Sequence, residues 1–595
     1  MRALSLFSGS MLFLVGCDLN VSDAGSGSCG ACATSGEMLQ LQARVETQEA
    51  ELLTLRAELE ALQQAFTEDG GSSGGGGGDT GSAAALMQYV TVDTTTNSVV
   101  FTGANVFIQS GSGATDDNCD TNSDLECDLL MTGLGNLTIG YNDERPTDNA
   151  RSGSHNLIIG DRHNYAGYGG LIVGLEHTNF GSYGVVAGGY NNTARGLYSA
   201  VSGGADNTAN ARAGAVSGGR GNLASGPYSS VSGGGANTAS GDNSSVSGGA
   251  SNQAQMTFSS VNGGASNTAA AVNSSVLGGY RNEARAGWSA IAGGEENKTG
   301  GEDGEYSIVS GGYKNTATGS HSAISGGSEN LASGAHSATS GGWLNTASGG
   351  HSAISGGWSN TASGQESSIL GGYVNATSGV GSSVVGGYAN RAGGLTSTVS
   401  GGYVNRASGV TSTVSGGEKN SASGQYSSIS GGSTNTASGE SSSVSGGEQN
   451  TASGQYSSAS GGFSNRASGG WSSVSGGGSG YASGSGSSIS GGDQNATLGV
   501  YSSVLGGYNN TASDDATTIL GGYENVAQGQ WSTVSGGAFN TTNRSYSAIS
   551  GGYENETTGQ YSVVSGGRSN LASGRQSVVT GGAANTASGD ATIKP

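Results

Sequence analysis

The stretch SSVSGGEQNTASGQYSSASGG, Ser442 to Gly462, holds a phrase that the chain repeats with small edits along most of its length. Taking the first glycine of each Gly-Gly pair as a marker, Gly188, Gly203, Gly218, Gly233, Gly248, Gly263, Gly278 and Gly293 are fifteen residues apart. A three-residue insertion in KTGGEDGEYS, Lys298 to Ser307, shifts the phase once, and from Gly311 to Gly581 the period is unbroken. Three divergent copies precede these, around Gly140, Gly160 and Gly174. About thirty copies in series define a solenoid, a chain in which each repeat rests only on its neighbours.

Fifteen residues are too few for a pair of helices, and Gly and Ser at this density are poor helix formers. The phrase divides instead into strand, turn, strand and turn. The residue two before each glycine pair is β-branched nearly throughout: Val201, Val216, Val231, Val246, Val261, Ile489, Val504, Ile519, Val534 and Ile549, with Ala459 and the polar Thr339 as exceptions. Two residues after a recurrent Asn sits Ala or Thr, as at Ala209, Ala224, Ala452 and Thr497. These are the two inward positions of each coil, one large and one small. The glycine pair suits a turn that needs positive φ or close backbone approach. The Asn recurs at Asn192, Asn207, Asn222, Asn435, Asn450 and Asn465 and lapses at Gly480. Stacked coil on coil, it is expected to form an amide ladder, although a simple turn role fits the same spacing.

The expected class is therefore all-β: a parallel β-roll or β-solenoid spanning 135–589, with 590–595 as a tail. At ~4.8 Å per coil it rises to roughly 140 Å. One Val and one Ala per coil return far less than the entropy of ordering fifteen residues. The hydrogen-bond ladder and association along the length must supply the rest. Association of chains along the length is expected, with a seam at the residue before each glycine pair, usually Ser but Leu277, Leu370, Val385, Leu505 and Leu520 in five coils.

The N-terminal part reads differently. MRALSLFSGSMLFLVGC has a basic residue, an apolar run and Leu14-Val15-Gly16-Cys17, the pattern of a bacterial lipoprotein signal, so 1–16 is read as signal peptide and Cys17 as the lipidated residue. Its apolar run is too short to span a bilayer. Residues 17–36 form a Gly/Ser tether. In 37–67, Met38, Leu41, Val45, Gln48, Leu52, Leu55, Leu59, Leu62 and Phe66 alternate three and four apart, the seam of a coiled-coil stalk, with Gln48 its one polar member. Residues 68–85 form a Gly-rich linker. In 86–134, a β-rich capping segment, QYVTVDTTTNSVVFTGANVFIQSGSG (Gln88 to Gly113) alternates as three short strands would.

All five cysteines lie outside the repeats. In an exported chain Cys119 and Cys127 most simply close a disulfide, and Cys29 and Cys32 form a tether disulfide or interchain links. The chain carries a net charge of −22 and no basic stripe, which argues against nucleic acid and against an anionic membrane surface. No Ser/His/acid grouping and no HExxH motif appears, so no catalysis and no required cofactor is expected. Two weak metal readings remain. Asp120, Asn122 and Asp124 alternate as oxygen donors do in calcium loops, but without the glycine and terminal glutamate of an EF-hand. His321, His336 and His351 share one register on three successive coils. After the glycine pair, Trp343, Trp358, Tyr373, Tyr388 and Tyr403 form five consecutive aromatic coils, a stripe suited to sugars, to a protein ligand, or to packing between chains.

NLIIGDRHN (Asn156 to Asn164), NSSVLGGYRNEARAG (Asn273 to Gly287) and SSVSGGEQNTASG (Ser442 to Gly454) resemble the head repeats of trimeric autotransporter adhesins, the YadA-like head. The resemblance covers roughly Gly135 to Gly589. It implies a left-handed parallel β-roll, three of which pack into one homotrimeric head, and attachment at a bacterial cell surface. The chain departs from that family in having a repeat one residue longer, less apolar inner positions, and no C-terminal membrane barrel after the repeats. The implied protein is an outer-membrane, surface-exposed adhesin-like fibre anchored by lipid at its N-terminus. A ligandless structural spacer is the alternative. An ice-binding solenoid is a remote third reading, because Leu223, Glu283, Lys298, Arg391, Arg406 and Arg466 interrupt any flat threonine rank.

Overall fold

The computed structural model describes residues 85–115, 131–146, 148–301 and 303–595, with scattered helical positions between Ala50 and Ala61. The lipidation site Cys17, the cysteines Cys29, Cys32, Cys119 and Cys127, the acidic donors Asp120, Asn122 and Asp124, and the whole coiled-coil seam lie outside the described residues. The chain divides at Val106 into two units.

In the first unit, β1 (Val90–Asp93) and β2 (Ser98–Phe101) pair antiparallel with Val90 opposite Phe101. Asp93 makes the turn: its carboxylate accepts the Thr95 N–H at 2.8 Å and the Thr95 and Thr96 hydroxyls at 2.6 and 2.8 Å. Those hydroxyls hold the carboxyl down at about 2. The third strand expected in this segment does not form. Val106, Phe107 and Ile108 remain exposed and unladdered, because alternation makes a strand only where an edge is there to pair with.

The second unit is an all-β parallel solenoid of about 29 turns of about fifteen residues. Each coil contributes one two-residue strand to each of two parallel ladders. In one ladder Ser443-Val444 lies between Ser428-Ile429 and Ser458-Ala459. In the other Thr451-Ala452 lies between Thr436-Ala437 and Arg466-Ala467. The sequence alone did not announce a third ladder of single-residue bridges, which joins the residues after the glycine pairs: Glu448 to Phe463, Trp343 to Trp358 and so on along the roll. The three-residue insertion bulges from one turn, so that Ala290-Ile291 pairs with Ile308-Val309 and the ladders stay in register.

The backbone explains how a coil bonds to both neighbours. Most amides donate to the next coil: Thr451 N–H to Asn465 O, Ser458 N–H to Ser472 O, Glu448 N–H to Gly462 O. At Gln449 and Tyr456, φ is 58° and 56°, and in this left-handed conformation their amides donate backwards, to Ser433 O and Glu440 O. The two glycines of a pair have separate tasks. At Gly447 φ is +80° and a Cβ would lie 2.2 Å from the Gly462 carbonyl oxygen, so only glycine fits; at Gly446 a Cβ would meet nothing.

Inside the roll, Val201, Val216, Val231, Val246, Ile489, Val504 and Ile549 are fully buried, facing Ala209, Ala224 and their equivalents. The exceptions follow the same geometry: Ala459 and Thr339 are buried in the slot, and the Thr339 hydroxyl has no hydrogen-bond partner.

Candidate functional site

Each repeated Asn is buried and uses its amide to tie three places together. Asn450 donates through Nδ2 to Gly446 O of its own coil at 2.9 Å and to Gly462 O of the next at 3.0 Å, while its Oδ1 accepts the Asn465 N–H at 3.0 Å. Asn207, Asn222 and Asn465 repeat the pattern. The ladder is thus mostly side chain to backbone rather than amide to amide. It fixes the glycine corner, and its buried donors and acceptor are costly to leave unmade. At Gly480 the backbone N–H still reaches Asn465 Oδ1 at 2.8 Å, but that coil offers Asn495 no rung.

The ladder is not Asn throughout. In the divergent N-terminal coils His163 and His177 occupy the rung slot, both fully buried and stacked with ring centroids 5.4 Å apart. Asn142 Oδ1 accepts the His163 N–H at 2.9 Å, His163 Nδ1 accepts the His177 N–H at 3.2 Å, and His177 Nδ1 accepts the Asn192 N–H at 3.1 Å. An Nδ1 that accepts is unprotonated, so each ring carries its proton on Nε2; that of His163 faces Ile159 O at 3.1 Å. Burial pushes both imidazoles down from the ordinary 6.5, and His177, with His163 beside it, falls to about 4. The guanidinium of Arg145 bonds to Arg162 O at 2.8 Å, to the Thr178 hydroxyl at 3.2 Å and to Glu176 O, placing a fixed positive charge nearby. Neither histidine stood out in the sequence, where IGDRHN and VGLEHTN do not align by eye with GGEQN. The signal available was their place after the glycine.

On the outside, side chains fifteen apart stack into columns. Trp343 and Trp358 stack at 5.0 Å with their planes 8° apart, Trp358 meets Tyr373 edge-on at 4.6 Å, and Tyr373, Tyr388 and Tyr403 continue at 5.0 and 4.9 Å. At its two ends, Trp343–Trp358 and Tyr388–Tyr403, the ring faces lie against each other. The arrangement stabilises the register of the coils as cross-strand aromatic pairs do. It offers few free faces to a sugar.

A second column carries Trp288, Tyr306, His321, His336 and His351 in one continuous stack, the three histidines at 4.8 and 4.7 Å. This stacking does not favour the histidine-metal reading. Rings within 15° of parallel point their nitrogen lone pairs side by side instead of toward one centre. Among the described residues no group of three or more His, Cys, Asp or Glu is disposed to hold a metal ion. The expected seam residues Leu277, Leu370, Val385, Leu505 and Leu520 are about half exposed in the single chain.

Charges are arranged in short neutralised sets. Arg281 and Lys314 flank Glu296 at 3.5 and 3.6 Å, Arg220 meets Asp206 at 3.6 Å, and Arg162 meets Glu176 at 3.1 Å. One coil within the aromatic stripe carries the comparison with known proteins. Residues 397–409 match the family model of the ubiquitous surface protein adhesin repeat. No match was found among curated proteins. The matched residues include the Thr398-Val399 strand, the Gly401-Gly402 corner, Tyr403, the rung Asn405 and the Arg406-Ala407 strand, so the adhesin repeat falls on both strands and the glycine corner of one structural coil. The match spans thirteen residues and marks this coil as similar to that adhesin repeat.

Proposed function

We propose that the chain is a lipid-anchored, trimeric, adhesin-like fibre of the outer membrane that attaches the cell by repeated weak contacts along its roll. The observation that carries the reading is the adhesin-repeat match over a coil that has about thirty structural equivalents in the same chain. Multiplying a weak contact along a rigid rod raises avidity without any single tight site. The lipoprotein pattern ending at Cys17 supplies the anchor. Half-exposed Leu277, Leu370, Val385, Leu505 and Leu520, all in one column, support association of rolls side by side. A YadA-like head is the form this assembly takes in the proposal.

The test uses whole cells producing the full chain or Cys17→Ser. Wild-type cells are expected to expose the roll to external protease and to adhere, and Cys17→Ser cells to lose both. Adherence unchanged by loss of surface display removes the proposal. A structural spacer is favoured by one observation, the self-stacked aromatic column whose ring faces are already used. In that case display persists without adherence.

A further inference from the structure

Arg391 and Arg406 lie directly opposite one another on adjacent strands of the Thr-Ala ladder, both exposed. Their outer register neighbours are Ala376 and Ser421, and no carboxylate lies within ion-pair distance of either guanidinium among the described residues. Like charges placed directly opposite on a sheet repel. Several other basic side chains on neighbouring coils are interleaved with acids, as around Glu296, or lie over a ring, as Arg466 does over Tyr481 at 5.8 Å. The exception is set in a local composition unlike the rest of the chain: in a protein of net charge −22, Ser367 to Gly417 contains no Asp and no Glu, and these two arginines are its only charged side chains.

We propose that Arg391 and Arg406 form an anion-binding pair that holds a sulfate or carboxylate group of an acidic polysaccharide. The inference rests on the attachment reading above and gives it a ligand class. Two arginines on strands one spacing apart, ~4.8 Å, can bring two planar forks of donors to one shared oxyanion. The surrounding outward positions favour a sugar polymer over an acidic protein. Three residues before each arginine stand the exposed Tyr388 and Tyr403, and two after Arg406 the half-exposed Ser408, all of them hydroxyl-bearing. An extended polymer can lie along such a row, where a protein knob needs a pocket. The acid-free stretch also removes the local repulsion that the chain's overall charge would impose on a polyanion.

The test measures binding of the full mature chain to heparin (sulfated), hyaluronan (carboxylate only), dextran (neutral) and poly-glutamate, for wild type, Arg391→Gln/Arg406→Gln and Arg466→Gln. The expected result is binding to heparin or hyaluronan that exceeds dextran and poly-glutamate, weakens with salt, falls at least tenfold in the double variant and is unchanged in Arg466→Gln. Unaltered circular dichroism of the double variant shows that the roll is intact. Equal binding by the double variant, an equal loss in Arg466→Gln, no preference over dextran, or stronger binding to poly-glutamate would each overturn it. Adherence of wild-type cells is scored separately, so that adherent cells without glycan binding defeat this inference and leave the attachment reading in place.

Discussion

The divergent coils at the start of the roll and the regular coils of its body fill the same buried slot with different chemistry. In the body Asn presents a neutral oxygen to the amide of the next coil; at the start His163 and His177 present an Nδ1 lone pair to that amide. Both satisfy the backbone, yet only one can titrate. A protonated Nδ1 becomes a donor facing a donor, so the first coils depend on pH where the body does not. The rung slot demands an acceptor and leaves its chemical identity open.

The largest expected effect is to remove a rung from the body. Asn450→Ala deletes three hydrogen bonds and leaves the buried Asn465 amide without its acceptor and the half-buried Gly446 carbonyl without its donor, while Gly462 O keeps the Glu448 N–H. A cost of about 3 kcal/mol should appear as faster amide exchange confined to the coils around Gly446 to Gly477, with the ends of the roll unchanged. Next comes pH. Both imidazoles are depressed in the fold, so their neutral form is the stabilised one: stability is complete above about 6.5 and is lost as pH falls, because the unfolded chain takes up protons first, until His177 itself protonates near 4. The slope reaches about 1.4 kcal/mol per pH unit for each imidazole. Limited proteolysis at pH 5 should therefore cut within Asn156 to Asn192 and spare the body, and His163→Asn/His177→Asn should abolish that difference.

Two smaller effects sharpen the contrast within the body. Gly480→Asn restores the one missing rung, and with it an acceptor for Asn495 and two donors for the glycine corners. It should stabilise that coil by about 1–2 kcal/mol, read as slower local exchange. Thr339→Val replaces a buried hydroxyl without a partner by an isosteric methyl in a slot that Val fills elsewhere. It should add about 1 kcal/mol to local stability.

How much of this was legible in the sequence differs by layer. The period, the β-branched and small inner positions and the Asn column are strict repeats, and a repeat in sequence becomes a column in space with no further assumption; Val201 and Ala209 therefore reveal the core. The split between the glycines was hidden because both recur in every regular coil, yet it is the second that has a carbonyl pressed against the place of a Cβ, as at Gly447, while the first meets open space, as at Gly446. The aromatic stripe was legible as a stripe but not as a self-stack, since ring orientation depends on side-chain torsions that spacing leaves free. The histidine column was legible in the same way: shared register brings His321, His336 and His351 together, and the side-chain torsions stack their faces. His163 and His177 were missed because their coils break the period that made every other rung visible.

The measurement that tests the rung account most directly is amide exchange along the full mature chain at pH 7 and pH 5, each corrected for intrinsic rates. Loss of protection at pH 5 confined to Leu157 through Asn192, with Thr436 through Ala467 unchanged, is the predicted result. Equal loss in both regions, or retained protection around His163 and His177, would contradict the claim that one buried slot holds every coil and that its occupant sets how each coil responds to acid.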